Sequence, residues 1–129
     1  MDEEKKGRPT VLVCEDDPVV RPYLVDVLEA AGYTTAVAPD GQTAVELANE
    51  LQPALITLDI DLPNVDGVGV IHRLKANPAT ARIPFVILSG HPGWLTFVER
   101  HAAAAVVEKP CPPWELEAVV HEVLARQAA

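Results

Sequence analysis

Thr10-Val-Leu-Val-Cys14, followed at once by Glu15-Asp16-Asp17-Pro18, decides how the rest of the chain reads. Five residues without a charge, rich in β-branched side chains, have the length of a strand and no polar alternation. Such a run suits a strand covered on both faces, as in a parallel sheet. The acidic triplet then marks the carboxyl end of that strand. Asp17 can cap a helix, and Pro18 suits a first helical turn. Val19, Val20, Tyr23, Leu24, Val27 and Leu28 recur at helical spacing, so they predict one buried stripe, and Gly32 sits where a helix commonly ends.

The same alternation continues outward. Thr34–Ala38 reads as a second strand, and Asp40-Gly41 opens a second helix with Ala44, Leu47, Ala48 and Leu51 on its inner face, stopped by Pro53. Ala54–Leu58 is a third strand, ending at Asp59. A loop, Ile60–Asp66, contains Pro63 and leads through Asp66-Gly67 into a third helix, Val68–Ala76. Phe85–Ser89 is a fourth strand, Gly90–Gly93 a connection, and Trp94–Ala102 a short fourth helix. Ala105–Glu108 is a fifth strand, ending at Lys109-Pro110. Pro112-Pro113 opens a last helix with Leu116, Val119, Val120, Val123 and Leu124 on one side. Five strands alternating with five helices predict an α/β domain, a parallel five-stranded sheet with helices on both faces. The domain is expected over residues 10–126, with a solvated tail at 1–9 and a short one at 127–129.

Bulk properties fit one such domain. The chain has 129 residues, 49% hydrophobic and 22% charged. A net charge of −9 argues against direct nucleic-acid binding, which needs a basic face. Cys14 and Cys111 match neither a redox nor a zinc spacing and read as free thiols in a reducing cytoplasm. The charged start lacks the apolar core of a signal peptide, and no apolar run could span a bilayer, so no membrane association is expected. His72, His101 and His121 fall on helices without an i, i+4 partner and read as solvated. Trp94 and Trp114 each open a helix and serve either packing or a partner contact.

In a parallel α/β sheet, ligands bind beyond the carboxyl ends of the strands. Those ends carry Glu15-Asp16-Asp17, Asp59, Ser89-Gly90 and Lys109-Pro110. Each alone has an ordinary reading: a helix start, a strand cap, a turn and a surface lysine. Together they place carboxylates, a hydroxyl and an ammonium at one edge. Clustered carboxylates call for a cation, and a hard divalent ion such as magnesium suits oxygen ligands with retained water. Metal, lysine and hydroxyl around a nucleophilic carboxylate suit phosphoryl transfer.

Val11–Pro18, Leu58–Gly67, Val86–Gly90 and Val107–Pro110 together resemble the signature blocks of response-regulator receiver domains of two-component systems. The resemblance covers about residues 10–126. It implies a flavodoxin-like three-layer (βα)5 sandwich with strand order 2-1-3-4-5, the order chemotaxis receivers also have. It implies that Asp59 accepts a phosphoryl group from the phosphohistidine of a sensor histidine kinase or phosphotransfer protein. Magnesium, with manganese as a substitute, would be held by Asp16 directly, Glu15 through water, Asp59, and the backbone carbonyl of Asp61. Ser89 would be the switch hydroxyl and Lys109 the phosphate-pairing lysine, with a cis bond to Pro110. Asp61 and His91 match positions that tune phosphoryl lifetime.

Some positions depart from the family pattern. Val106 stands where an aromatic switch residue is usual, and Cys111 where phenylalanine is common. In the family, the fourth helix, fifth strand and fifth helix form the output face, which can also mediate homodimers. Two other functions fit parts of the sequence: a receiver-like interaction module independent of phosphorylation, suggested by Val106, and a magnesium-dependent phosphatase with an aspartyl nucleophile, for which Asp61 would be the general acid.

Overall fold

The computed structural model describes residues 7–62 and 65–128. Five strands alternate with five helices: β1 Thr10–Cys14, α1 Val20–Ala30, β2 Thr34–Ala38, α2 Gly41–Leu51, β3 Leu55–Asp59, α3 Gly67–Ala76, β4 Phe85–Ser89, α4 Phe97–Ala102, β5 Ala105–Glu108 and α5 Pro113–Ala128. All strands are parallel, in the order β2-β1-β3-β4-β5. This is the expected flavodoxin-like arrangement. Register pairs Cys14 with Leu58, Asp59 with Leu88 and Ser89 with Glu108, so these strand ends finish level.

Alternation along the strands divides the core into two. Val11, Val13, Leu55, Val86, Leu88 and Val107 meet Leu24 and Leu28 of α1 and Leu116, Val120 and Val123 of α5. Leu12, Cys14, Ile56, Leu58, Phe85 and Ile87 meet Ala44 and Ala48 of α2 and Val70, Ile71 and Leu74 of α3. Each fully buried large aliphatic residue stabilises the fold by roughly 1.5–3 kcal/mol. Both faces of β1, β3 and β4 are covered, which is why their sequences run apolar without alternation.

Several boundaries differ from expectation. The Asp17 carboxylate accepts from the backbone N–H groups of Val19 and Val20, forming a turn, and α1 starts only at Val20. Val19 therefore leaves the buried stripe, and Tyr23 sits at its rim. Leu51 closes α2 on its solvent side instead of its inner face. The third strand runs one residue later than expected and includes Asp59. The fourth helix does not begin at Trp94: Pro92–Trp94 is a single 3₁₀ turn, and α4 starts after Thr96. The Thr96 side chain accepts from the Glu99 N–H, and the Glu99 side chain accepts from the Thr96 N–H, a capping box that fixes the start. At the other end, α5 continues to Ala128, past the expected end of the domain. Cys14 and Cys111 are both buried free thiols.

One buried group lacks a partner. Among the described residues, Thr57 Oγ1 in β3 is the only buried side-chain nitrogen or oxygen with no hydrogen bond. A desolvated, unpaired hydroxyl costs about 1–3 kcal/mol. Thr57→Val keeps the shape and removes the orphan, so denaturant unfolding is expected to show about 1 kcal/mol of added stability. A loss of stability would mean that the hydroxyl has a partner in solution.

Candidate phosphoryl and metal site

Because the strands are parallel and end level, the segments leaving β1, β3, β4 and β5 meet above one sheet edge. There they enclose a crevice of about 490 Å³ lined by Glu15, Asp16, Asp59, Asp61, Lys109 and His91, with Asp17, Pro18 and Gly90 at its margin. Glu15, Asp16 and Asp59 each offer a carboxylate oxygen, and these lie within 4.8 Å of one another. Glu15 and Asp59 are buried, whereas Asp16 is exposed. An all-oxygen donor set with one solvent-facing member could hold a hard divalent cation that keeps part of its water.

Lys109 neutralises part of this charge. Its Nζ lies 2.8 Å from Glu15 Oε1 and 3.5 Å from Asp59 Oδ2. Burial pushes the Glu15 carboxyl up to about 7, and Asp59 adds to the rise against the opposing pull of Lys109. Burial works against the Lys109 charge, but hydrogen bonding and attraction from Glu15 and Asp59 outweigh it and leave the ammonium above its ordinary value. One ammonium among three carboxylates leaves the cluster negative. A divalent cation would relieve it.

The loop after β3 holds Asp59 from the other side. Asp59 Oδ1 accepts from the Asp61 N–H at 3.1 Å. The Ile60 carbonyl accepts from the Gly67 N–H at 2.9 Å. Close packing holds Ile60 and Val65 of this loop: a methyl on Gly67 would sit 2.5 Å from Ile60 Cα, and one on Gly41 would run into the Val65 carbonyl oxygen. Neither glycine has positive φ. They are required for space, a demand that reading Asp40-Gly41 as a helix opening and Asp66-Gly67 as a turn pair does not express. The openings are also real, since Asp40 and Asp66 accept from the Thr43 and Gly69 N–H groups.

Ser89 lies at the same edge but does not line the crevice. It is buried, and its Oγ accepts from the His91 N–H at 3.0 Å. His91 is exposed and stacks on Trp94, ring centroids 3.9 Å apart. Val106 packs half-buried against the α2–α3 side of the core. The Lys109–Pro110 peptide is cis. Beyond the expected set, Arg21 Nη1 donates to the Glu15 carbonyl at 3.2 Å and Tyr23 Oη donates to the Cys111 carbonyl at 3.0 Å, tying α1 to both acid-bearing and lysine-bearing segments. No helical or strand period signals either contact: Arg21 reaches back six residues across the β1–α1 turn, and Tyr23 and Cys111 are brought together only by the fold.

Comparison with known proteins agrees with this fold. The response regulator receiver domain model matches residues 11–121. The DNA-binding response regulator MtrA of Mycolicibacterium smegmatis is 36% identical over 121 residues, covering 92% of this chain and 52% of MtrA. Protein Rrf1 of Nitratidesulfovibrio vulgaris is 31% identical, covering 92% of this chain and 84% of Rrf1. The receiver domain of the Francisella response regulator 1452 superposes with a TM-score of 0.83 at 27% identity, covering 93% of this chain and 99% of that one. The chain spans only 30% to 49% of the length of several other curated relatives, among them a methylesterase and transcriptional regulators. With the fold, the level strand ends and the family match in agreement, this chain belongs to the response regulator receiver domain family.

Proposed function

We propose that this receiver accepts a phosphoryl group on Asp59 from a phosphohistidine, in a reaction that needs a divalent cation. The observation carrying this reading is the cluster of three carboxylates with Lys109 inserted between Glu15 and Asp59. Glu15, Asp16 and Asp59, joined by the Asp61 carbonyl, would hold magnesium or manganese. When bound, the ion supplies neutralising charge and orients phosphoryl oxygens. An Asp59 oxygen forms the new O–P bond as the P–N bond of the donor breaks, and the electron pair leaves with the imidazole, which takes up a proton. Lys109, relieved of its carboxylate partners, pairs with the incoming anion. The Ser89 hydroxyl exchanges its His91 N–H contact for a phosphoryl oxygen.

That exchange pulls on the segment leading to α4. Trp94, Phe97 and Val98 there are 78%, 72% and 66% exposed. An exposed apolar group of this kind marks a contact surface. The α4-β5-α5 face is therefore the proposed output face, for an effector or for a second copy of the chain. Half-buried Val106 cannot act as an aromatic switch, so the coupling runs through the Ser89–His91 segment instead. The place of action is the cytoplasm; among the described residues no helix is long and apolar enough to cross a membrane.

Incubation with acetyl phosphate and magnesium is expected to add one phosphoryl mass per chain, and none with EDTA. Decay of that species should differ from the parent in Asp61→Ala and His91→Ala, whose exposed side chains line the crevice, with little effect on folding. Decay identical to the parent in both would refute the lifetime role. Many turnovers of phosphate release from small phosphoesters would instead favour a phosphatase. A phosphate-free protein that still binds its effector would favour the phosphorylation-independent module.

A further inference from the structure

A second recess shares no residue with the acidic crevice. It is a groove of about 480 Å³ between the end of α1 and α5, lined by Ala31, Tyr33, Trp114, Glu117, Ala118 and His121. The α5 residues fall at i, i+3, i+4 and i+7, so they share one helix face. Ala31 and Ala118 are small and leave space between the larger groups. Trp114 is 70% exposed. Tyr33 and Glu117 line the same groove, and burial together with the Glu117 charge raises the Tyr33 phenol above its ordinary value.

These groups are unused within the fold. Among the described residues, neither the Trp114 indole N–H nor the Glu117 carboxylate has a hydrogen bond or ion pair, and no lysine or arginine lines the groove. The recorded cation over an aromatic ring lies elsewhere, Lys75 over Phe85. An aromatic face beside a free carboxylate attracts a cation from two directions. The carboxylate and imidazole make the same groove a poor seat for an apolar side chain. A guanidinium fits better than an ammonium, because it is planar, stacks on an indole and is more weakly hydrated.

We propose that this groove is a recognition site for an arginine side chain of a partner protein, the guanidinium lying against Trp114 and pairing with Glu117. The net charge of −9 favours approach of such a partner. The groove lies on the α1-facing side of α5, so it adds to the proposed α4-β5-α5 output face a contact that shares no residue with Trp94, Phe97 and Val98.

The test is an NMR titration of the full chain, labelled with nitrogen-15, with acetyl-Gly-Arg-Gly-amide. The same peptide carrying citrulline or lysine in place of arginine serves as control. Trp94→Phe identifies the Trp114 indole signal. The expected result is a saturable shift of the Trp114 indole and the Tyr33 and Glu117 amides. Affinity should be roughly three- to tenfold higher for arginine than for citrulline, and lower for lysine than for arginine. Trp114→Ala and Glu117→Gln, both at exposed positions, should each remove the preference while the rest of the spectrum stays dispersed. Equal binding of the citrulline peptide, shifts centred on Asp16 and Asp59, or a preference that survives Glu117→Gln would overturn the proposal.

Discussion

Asp59→Asn is expected to fold normally and to gain no phosphoryl mass under conditions that modify the parent fully. Asparagine keeps an oxygen able to accept the Asp61 N–H, so the loop after β3 retains its anchor. It loses the nucleophilic carboxylate, and the other carboxylates of the crevice are placed differently: Glu15 is paired to Lys109, and Asp16, Asp17 and Asp61 face solvent. The same change removes one of three carboxylates from the candidate metal cluster. Magnesium affinity should fall by at least the roughly 10- to 100-fold that the loss of an outer-shell partner costs. Stability in EDTA should not fall, because one source of repulsion around Glu15 is gone. Intact-mass spectrometry, a magnesium titration and thermal unfolding of the variant separate these effects. Retained phosphorylation would move the acceptor elsewhere.

The second large effect comes from a residue that touches no ligand. Gly41→Ala is expected to destabilise the fold by roughly 3 kcal/mol, the upper end of over-packing costs. The added methyl meets the backbone carbonyl of Val65, which cannot rotate away as a side-chain tip could. The loop bearing Asp61 must shift, so magnesium affinity should weaken together with stability. Gly93→Ala is the control, since nothing lies within 4 Å of its added methyl and its φ is not positive. Urea unfolding of both variants checks the contrast. Equal stability of Gly41→Ala and the parent would mean that the α2–loop contact gives way at little cost.

The strands were legible in the sequence for a physical reason. A parallel strand buried on both faces must be apolar throughout, and Thr10–Cys14 and Phe85–Ser89 carry that demand visibly. Their order then brought Glu15, Asp59 and Lys109 together, because parallel strands share one carboxyl edge. Helix starts were less legible. Apolar spacing reports which face is buried, but the first backbone hydrogen bond depends on local capping. Asp17 spends its carboxylate on a turn and delays α1. For α4 the signal was present, since Thr96-Phe-Val-Glu99 has the spacing of a capping box; Trp94, apolar but exposed, drew the expected start too early. Apolar spacing reports neither the Ser89 hydroxyl, which accepts from an N–H two residues on, nor Arg21, which reaches back six residues to Glu15; the Tyr23–Cys111 contact depends on tertiary placement alone.

Beryllofluoride binding followed by fluorine NMR addresses the crevice most directly, because this small anion imitates a phosphoryl group on a carboxylate. With magnesium present, the parent should show bound fluorine resonances at one site per chain; these should vanish in EDTA and in Asp59→Asn. Bound resonances that persist without magnesium or without the Asp59 carboxylate would contradict a shared seat for cation and anion at the ends of β1, β3 and β5.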